Sequence, residues 1–147
     1  MEVVHHIGYT VSDLARSERF YTNLLQCEPV ERERYSGGWI SRIVGYEGAV
    51  VDCVLYEIPG SSLMLELLEY QNPAPKTHDM ETYNVGNVHW CVKVPNLQEE
   101  HERLRGLGVT LRSGPVNVLE DEGAEGERVL YVRDPDGISI EFLEEPA

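Results

Sequence analysis

The sequence predicts a mixed α/β (α+β) fold built from two tandem β-α-β-β-β modules. The main observation is an internal repeat: residues 6–14 and 89–97 align without a gap, and each segment begins with His and ends with Leu. Residues 63–69 and 138–144 align in the same way, and each carries Glu at its centre. A repeat on this scale indicates two copies of one structural unit.

The length of the chain, 147 residues, is typical of one domain and is sufficient to bury a substantial core. Residues 71–84 are rich in turn-forming residues and poor in apolar ones, which is typical of a linker. We therefore predict a single domain over residues 1–147, with module one at about 1–70, the linker at about 71–84 and module two at about 85–147.

Module one is predicted to begin with a strand over residues 3–11, where β-branched residues recur. Ser12 and Asp13 are suitable N-cap residues for a helix over residues 13–25. Its apolar side chains recur at helical spacing: Leu14, Tyr21, Leu24 and Leu25. Three strands are expected to follow, at about 29–35, 49–57 and 62–69.

Module two repeats this order after its own strand that contains His. Asn96 is the predicted N-cap, and Glu99 follows three residues later as in a capping box. The side chains that recur at helical spacing are Leu97, His101, Leu104 and Leu107. Gly108 follows them and is expected to end the helix. Strands are expected at about 109–113, 127–133 and 138–144, with a tight turn at 134–137 before the last one.

The charge of the chain restricts its partners. Lys and Arg number 12 against 26 Asp and Glu, which gives a net charge of −14. Nucleic-acid phosphates and anionic membranes repel such a protein, so we expect neither nucleic-acid binding nor membrane binding. The acidic run over residues 120–127 is predicted to be a solvated loop.

The compartment is expected to be the cytoplasm. The N-terminal residues lack the basic region and apolar core of a signal peptide, and no apolar run approaches the roughly 18 residues of a membrane helix. Three cysteines, Cys27, Cys53 and Cys91, are widely spaced and cannot form a complete disulfide framework. We expect them to be reduced thiols.

Four polar residues occupy equivalent positions in the two modules. Because strand side chains alternate between faces, all four are predicted to lie on the sheet face opposite the helices, a face that is often concave. Two imidazoles and two carboxylates suit a divalent metal such as Ni²⁺, Zn²⁺, Co²⁺, Mn²⁺ or Fe²⁺. The predicted metal ligands are His6, Glu66, His89 and Glu141.

The chain resembles the vicinal oxygen chelate superfamily, which includes glyoxalase I, methylmalonyl-CoA epimerase, extradiol dioxygenases, and fosfomycin and bleomycin resistance proteins. The resemblance covers nearly the whole chain. In the first half it is carried by residues 6–14 (HIGYTVSDL), 20–21 (FY) and 24–25 (LL), and in the second half by residues 88–89 (VH) and 134–141 (DPDGISIE).

The resemblance implies paired modules that close around a metal, with ligands at the positions of His6, Glu66, His89 and Glu141. It also implies a homodimer and a small-molecule substrate with vicinal oxygens. A His-Glu-His-Glu set is similar to bacterial glyoxalase I, whereas methylmalonyl-CoA epimerase usually has Gln at the place of Glu66. The implied activity is that of a lyase or isomerase, with Glu66 or Glu141 as the catalytic base.

Two other activities stay open within the same family. An extradiol-type dioxygenase would need only His6, His89 and Glu141 as metal ligands. A small-molecule binding or resistance protein would hold a drug without chemistry. Thr10 stands where glyoxalase I has an arginine for the glutathione carboxylate, so the resemblance does not extend to glutathione recognition. Pairing of the modules within one chain or between two chains is also left open.

Two regions outside the ligand set have alternative interpretations. Residues 35–49 contain three aromatic residues, four glycines and Arg42, and they are expected to form either a mobile lid over the substrate or a glycine-rich β-meander. Tyr131, Trp39 and Tyr46 are expected to line the cavity or to belong to the core. His5 is expected to face the helix side and to be structural or solvated.

Overall fold

The computed structural model describes residues 3–117 and 126–146, so most of the predicted acidic loop, residues 120–125, lies outside the described residues. Tertiary contacts divide the chain into two compact units, residues 1–77 and 78–147. Both units begin with a strand followed by a helix and end with two antiparallel strands, but the elements between them differ. Within the described part of the chain, no helix combines the length and the apolar character needed to span a membrane.

Module one contains a four-stranded sheet with strand order β1-β4-β3-β2. β1 and β4 are parallel, and the other neighbours are antiparallel. The elements in chain order are β1 (His6–Thr10), α1 (Leu14–Leu25), β2 (Glu31–Ser36), α2 (Gly38–Val44), β3 (Val50–Glu57) and β4 (Met64–Asn72).

Helix α1 begins where the sequence predicts. The side chain of Asp13 accepts a hydrogen bond from the backbone N–H of Arg16 at 2.9 Å, which satisfies one of the unpaired donors of the first turn. The helix packs on β3 and β4 through Tyr21 and Leu24, both buried. This packing buries one face of the sheet and leaves the other face to carry polar side chains.

Residues 35–49 were expected to form either a mobile lid or a glycine-rich β-meander. Gly38–Val44 form α2, so the prediction of a β-meander is wrong here. Ile40 of this helix is buried against Ala49 and Val51, and this apolar contact holds α2 against the sheet. Trp39 and Tyr46 are exposed and so are not core residues.

Module two contains a second sheet with the order β5-β9-β8-β6, and β7 also pairs with β8. Its elements are β5 (His89–Lys93), α3 (Leu97–Gly106), β6 (Thr110–Leu111), β7 (Val116–Asn117), β8 (Arg128–Arg133) and β9 (Ser139–Glu144). β5 and β9 are parallel, as β1 and β4 are in module one. The strand expected at 109–113 is shorter than predicted, and β7 is an additional one.

Helix α3 is capped as the sequence predicts. The side chain of Asn96 accepts hydrogen bonds from the backbone N–H groups of Gln98 and Glu99. Leu97 and Leu104 are fully buried, and α3 packs on β8 and β9. The last residue of the predicted stripe, Leu107, is exposed because the helix ends before it.

Candidate active site

Module one brings His6 and Glu66 together. β1 and β4 are parallel neighbours in which Gly8 lies opposite Glu66, so His6 is two residues away along the same face. The distance from His6 Nε2 to Glu66 Oε2 is 3.6 Å. The side chains are 43% and 20% exposed, respectively, so the imidazole is accessible while the carboxylate is largely covered.

Gly8 leaves space beside Glu66, a feature that sequence reasoning did not single out. A Cβ atom at Gly8 would lie 3.3 Å from Glu66 Oε2, which is closer than most such contacts. The absence of a side chain therefore leaves room for the carboxylate beside the neighbouring strand. In module two the corresponding position, opposite Glu141, is occupied by Cys91.

Module two brings His89 and Glu141 together in the same register. His89 lies opposite Ser139 on the parallel strand, and Glu141 is two residues further along. The distance from His89 Nε2 to Glu141 Oε2 is 2.9 Å, shorter than the corresponding distance in module one. The exposed fractions, 43% and 19%, match those of the first pair, so the repeat reproduces the exposure of each residue type.

Tyr131 joins the second pair. Its hydroxyl donates a hydrogen bond to Glu141 Oε2 at 3.0 Å and lies 3.1 Å from His89 Nε2. Burial, and then the hydrogen bond to Glu141, raise the pKa of Tyr131 to about 12, so the hydroxyl keeps its proton at neutral pH. From the sequence, Tyr131 was expected only to line the cavity or to belong to the core. Its position in β8, directly opposite Glu141, explains the contact.

Cys53 contacts the carboxylate of the first pair. Its thiol donates a hydrogen bond to Glu66 Oε1, with 3.4 Å between Sγ and the oxygen. Burial and the negative charge of Glu66 raise the pKa of Cys53 to about 12, so the group remains a thiol at neutral pH. Cys27, Cys53 and Cys91 are all free.

His5 lies beside the first pair as well. Its Nδ1 is 2.8 Å from Nδ1 of His6, and the two rings meet edge to face. One of the two nitrogens must carry the shared hydrogen. When His6 carries it, the Nε2 lone pair of His6 is free to bind a metal. His5 is exposed, as expected of a solvated residue, but the expectation of a helix-side position overlooked this contact.

The donor atoms of each pair fit a divalent metal. Two ligands that lie about 2.1 Å from one ion are separated by roughly 3.0–3.4 Å at octahedral or tetrahedral angles. The separations of 2.9 and 3.6 Å are close to this range, and imidazole nitrogen with carboxylate oxygen suits first-row divalent ions. In residues 3–117 and 126–146, no group of three or more His, Cys, Asp or Glu side chains is arranged to hold an ion.

Comparison with known proteins identifies the family. The family model described as "Glyoxalase/Bleomycin resistance protein/Dioxygenase superfamily" matches residues 3–142. The chain belongs to this superfamily. The resemblance stated from the sequence is thereby confirmed, and so is the mixed α+β fold class, because solved structures of the superfamily share it.

Curated relatives of the superfamily domain include two kinds of enzyme. A 2-epi-5-epi-valiolone epimerase from Actinomyces sp. is 25% identical over 98% of this chain and 80% of its own length. A lactoylglutathione lyase from Neisseria meningitidis is 32% identical over 95% of this chain and 88% of its own length. The relatives are thus an isomerase and a lyase, which supports an enzyme at the level of the family.

Solved structures extend the comparison. A glyoxalase family protein from Bacillus cereus has a TM-score of 0.81 at 22% identity, and the match covers 100% of this chain and 96% of that one. Glyoxalase I from Leishmania major has a TM-score of 0.62 at 26% identity, covering 99% and 88%. The fosfomycin resistance protein from Listeria monocytogenes has a TM-score of 0.63 at 21% identity, covering 99% and 95%, and shows the fold alone.

Proposed function

We propose that this chain is a divalent-metal-dependent lyase or isomerase that moves a proton beside a carbonyl. Its substrate would be a small oxygenated acid, hydroxy-ketone or thioester with two vicinal oxygens. The observation that carries the proposal is the same His–Glu pair on the same two parallel strands of each module, at ligand-like separations. The lyase and epimerase relatives support the reaction type.

The proposed ligands are His6, Glu66, His89 and Glu141. A divalent ion held by this set, with Ni²⁺, Zn²⁺, Co²⁺, Mn²⁺ and Fe²⁺ as candidates, would supply Lewis-acid chemistry to the substrate oxygens. The two imidazoles bind through neutral nitrogen, and the two carboxylates balance the double charge of the ion. One carboxylate also acts as the base: an Oε atom of Glu66 or Glu141 removes the proton from the α-carbon and returns it.

Thr10 favours a small substrate over a glutathione adduct. It lies exposed at the end of β1, four residues after His6, and carries no charge. A glutathione carboxylate would therefore lack the cationic partner that the family resemblance places at this position. The lactoylglutathione lyase relatives support the lyase or isomerase chemistry of this proposal but not a glutathione substrate.

The test is elemental analysis of the protein as purified, followed by assays with each metal restored to the metal-free protein. We expect a stoichiometric divalent ion and exchange of the substrate α-proton with solvent deuterium in the absence of O₂. A small-molecule binding or resistance protein without chemistry would show no turnover with any metal. That result, with candidate substrates of all three classes, would contradict the proposal.

The second candidate is an extradiol-type dioxygenase, and one observation favours it. Glu141 accepts a hydrogen bond from the Tyr131 hydroxyl, whereas Glu66 accepts one from the weaker Cys53 thiol donor, as expected if His6, His89 and Glu141 were the functional ligands. Such an enzyme would consume O₂ with a catechol-like substrate when loaded with Fe²⁺. Exchange of an α-proton that continues without O₂ would contradict this candidate.

We also propose that the protein is a homodimer, on the basis of the family resemblance and of edge strands such as β2 that pair on one side only. Sedimentation equilibrium is expected to give about twice the 16.7 kDa of one chain. A mass near 16.7 kDa at assay concentrations would contradict the dimer.

A further inference from the structure

The two glutamates of the candidate site have different hydrogen-bond partners. In module two, Tyr131 lies directly opposite Glu141 on the antiparallel strand, with its side chain on the same face. Its hydroxyl is 3.0 Å from Glu141 Oε2 and 3.1 Å from His89 Nε2. The carboxylate therefore accepts a hydrogen bond from a neutral O–H donor, and its Oε2 lies 2.9 Å from Nε2 of the neighbouring imidazole.

The corresponding residue of module one is Leu55, which lies directly opposite Glu66. Leucine has no hydrogen-bonding group, so the donor that fixes Glu141 has no counterpart there. Glu66 instead accepts a hydrogen bond from Cys53 at 3.4 Å, and a thiol is a weak donor. Its distance to His6 Nε2, 3.6 Å, is too long for a hydrogen bond.

We propose that Tyr131 is a positioning residue that fixes Glu141 as a retained metal ligand and leaves Glu66 as the carboxylate that moves the proton. The inference rests on the proposed function. A ligand held by a hydrogen bond from a neighbouring group is oriented and stays bound. A base must instead approach the substrate carbon, and Glu66 has the weaker restraints.

The proton transfer then runs through one carboxylate. A Glu66 oxygen forms a bond to the α-proton as the C–H bond breaks, and the electron pair of that bond moves toward the adjacent carbonyl. Glu66 later returns the proton to the substrate, and its own negative charge is restored. Glu141 keeps its hydrogen bond to Tyr131 throughout. No oxidant or further reactant is needed.

The experiment measures Co²⁺ binding to the metal-free protein by the absorption of the bound ion, without substrate. Tyr131→Phe removes only the hydroxyl, and we expect it to weaken Co²⁺ binding by about 10- to 100-fold. Tyr56→Phe is the matched control, because the Tyr56 hydroxyl is likewise hydrogen-bonded, to the Glu18 carbonyl, but lies outside the ligand set. It should leave Co²⁺ binding unchanged, and thermal unfolding verifies that both variants are folded.

Double variants separate positioning from a general structural role. In the Glu141→Ala background, Tyr131→Phe should have little further effect, because the acceptor that the Tyr131 hydroxyl holds is already gone. In the Glu66→Gln background it should weaken binding by the same factor as in the wild type. Glu66→Gln alone should also weaken Co²⁺ binding less than Glu141→Gln alone.

The outcomes distinguish this inference from the proposed function. Unchanged Co²⁺ affinity in Tyr131→Phe, equal coupling of Tyr131 to both glutamates, or a larger loss from Glu66→Gln than from Glu141→Gln would overturn the inference while leaving a metal site intact. Folded wild-type protein that binds no Co²⁺ would overturn the proposed function and the inference together.

Discussion

The two modules place the same pair of side chains on the same pair of parallel strands but surround the pairs differently. In module one, Gly8 and Leu55 flank Glu66 and leave it with a thiol as donor. In module two, Cys91 and Tyr131 flank Glu141, and the tyrosine holds it by a hydrogen bond. A repeat can thus preserve the backbone position of a ligand residue, while different neighbouring residues give that ligand a different role.

The outer edges of the two sheets differ in a similar way. The edge of module one is a continuous strand of six residues, β2, followed by the short helix α2. The edge of module two is divided between β6 and β7, two residues each, both of which pair with β8. The strands that carry His and Glu, at the opposite side of each sheet, retain the same parallel pairing in both modules.

The largest expected effect tests the different roles of the glutamates. Glu66→Gln retains an oxygen ligand but removes the carboxylate that accepts the proton, so turnover should fall by about 10²–10⁴. Glu141→Gln should reduce α-proton exchange much less at saturating metal. The measurement is the rate at which solvent deuterium is incorporated at the α-carbon of the substrate. The substrate used is the one on which the metal-restored enzyme is active.

The reverse order, with a severe loss in Glu141→Gln and a mild one in Glu66→Gln, would contradict this assignment of the base. Turnover without any α-proton exchange but with O₂ consumption would instead support the dioxygenase. In that enzyme Glu66 would be dispensable and Glu141 essential.

The second prediction compares the cores of the modules. Leu65 and Ile140 are fully buried and occupy equivalent positions, each one residue before the glutamate of the pair. Leu65→Ala and Ile140→Ala should each lower the free energy of unfolding by about 2–5 kcal/mol, since each leaves a cavity. Urea unfolding, followed by circular dichroism at one fixed protein concentration, gives both values.

This comparison also examines whether residues 1–147 form a single domain. If they do, both substitutions should shift one common transition, because the modules unfold together. Two separate transitions, each sensitive to only one of the substitutions, would contradict a single domain.

The smallest expected effect comes from making module one resemble module two. Leu55→Tyr places a hydroxyl opposite Glu66, where Tyr131 stands opposite Glu141. A hydrogen bond to a charged group contributes about 1.5–3 kcal/mol, so turnover should fall by roughly 10- to 100-fold as Glu66 becomes restrained. Leu55→Phe is the control, because it adds the ring without the hydroxyl. Equal losses in both variants would show that bulk, not the hydrogen bond, is responsible.

Sequence reasoning succeeded where local rules decide the structure. Asp13 and Asn96 are N-caps as predicted, because their side chains need only nearby backbone donors. The helix at Gly38–Val44 was not predicted, because a stretch so rich in glycine and aromatic residues has no helical pattern of its own. Burial of Ile40 against Ala49 and Val51, a contact between different elements, stabilises it.

The sequence by itself determined the repeat, the helix that follows the first strand of each module and the common face of each His–Glu pair, because N-cap residues, strand alternation and repeat register are properties of the chain alone. Only the tertiary structure decided that Tyr131 and Leu55 stand opposite Glu141 and Glu66, and that Cys53 contacts Glu66. Those contacts depend on which residues of neighbouring strands pair. That register is set by the packing of the whole sheet on its helix and not by any local spacing.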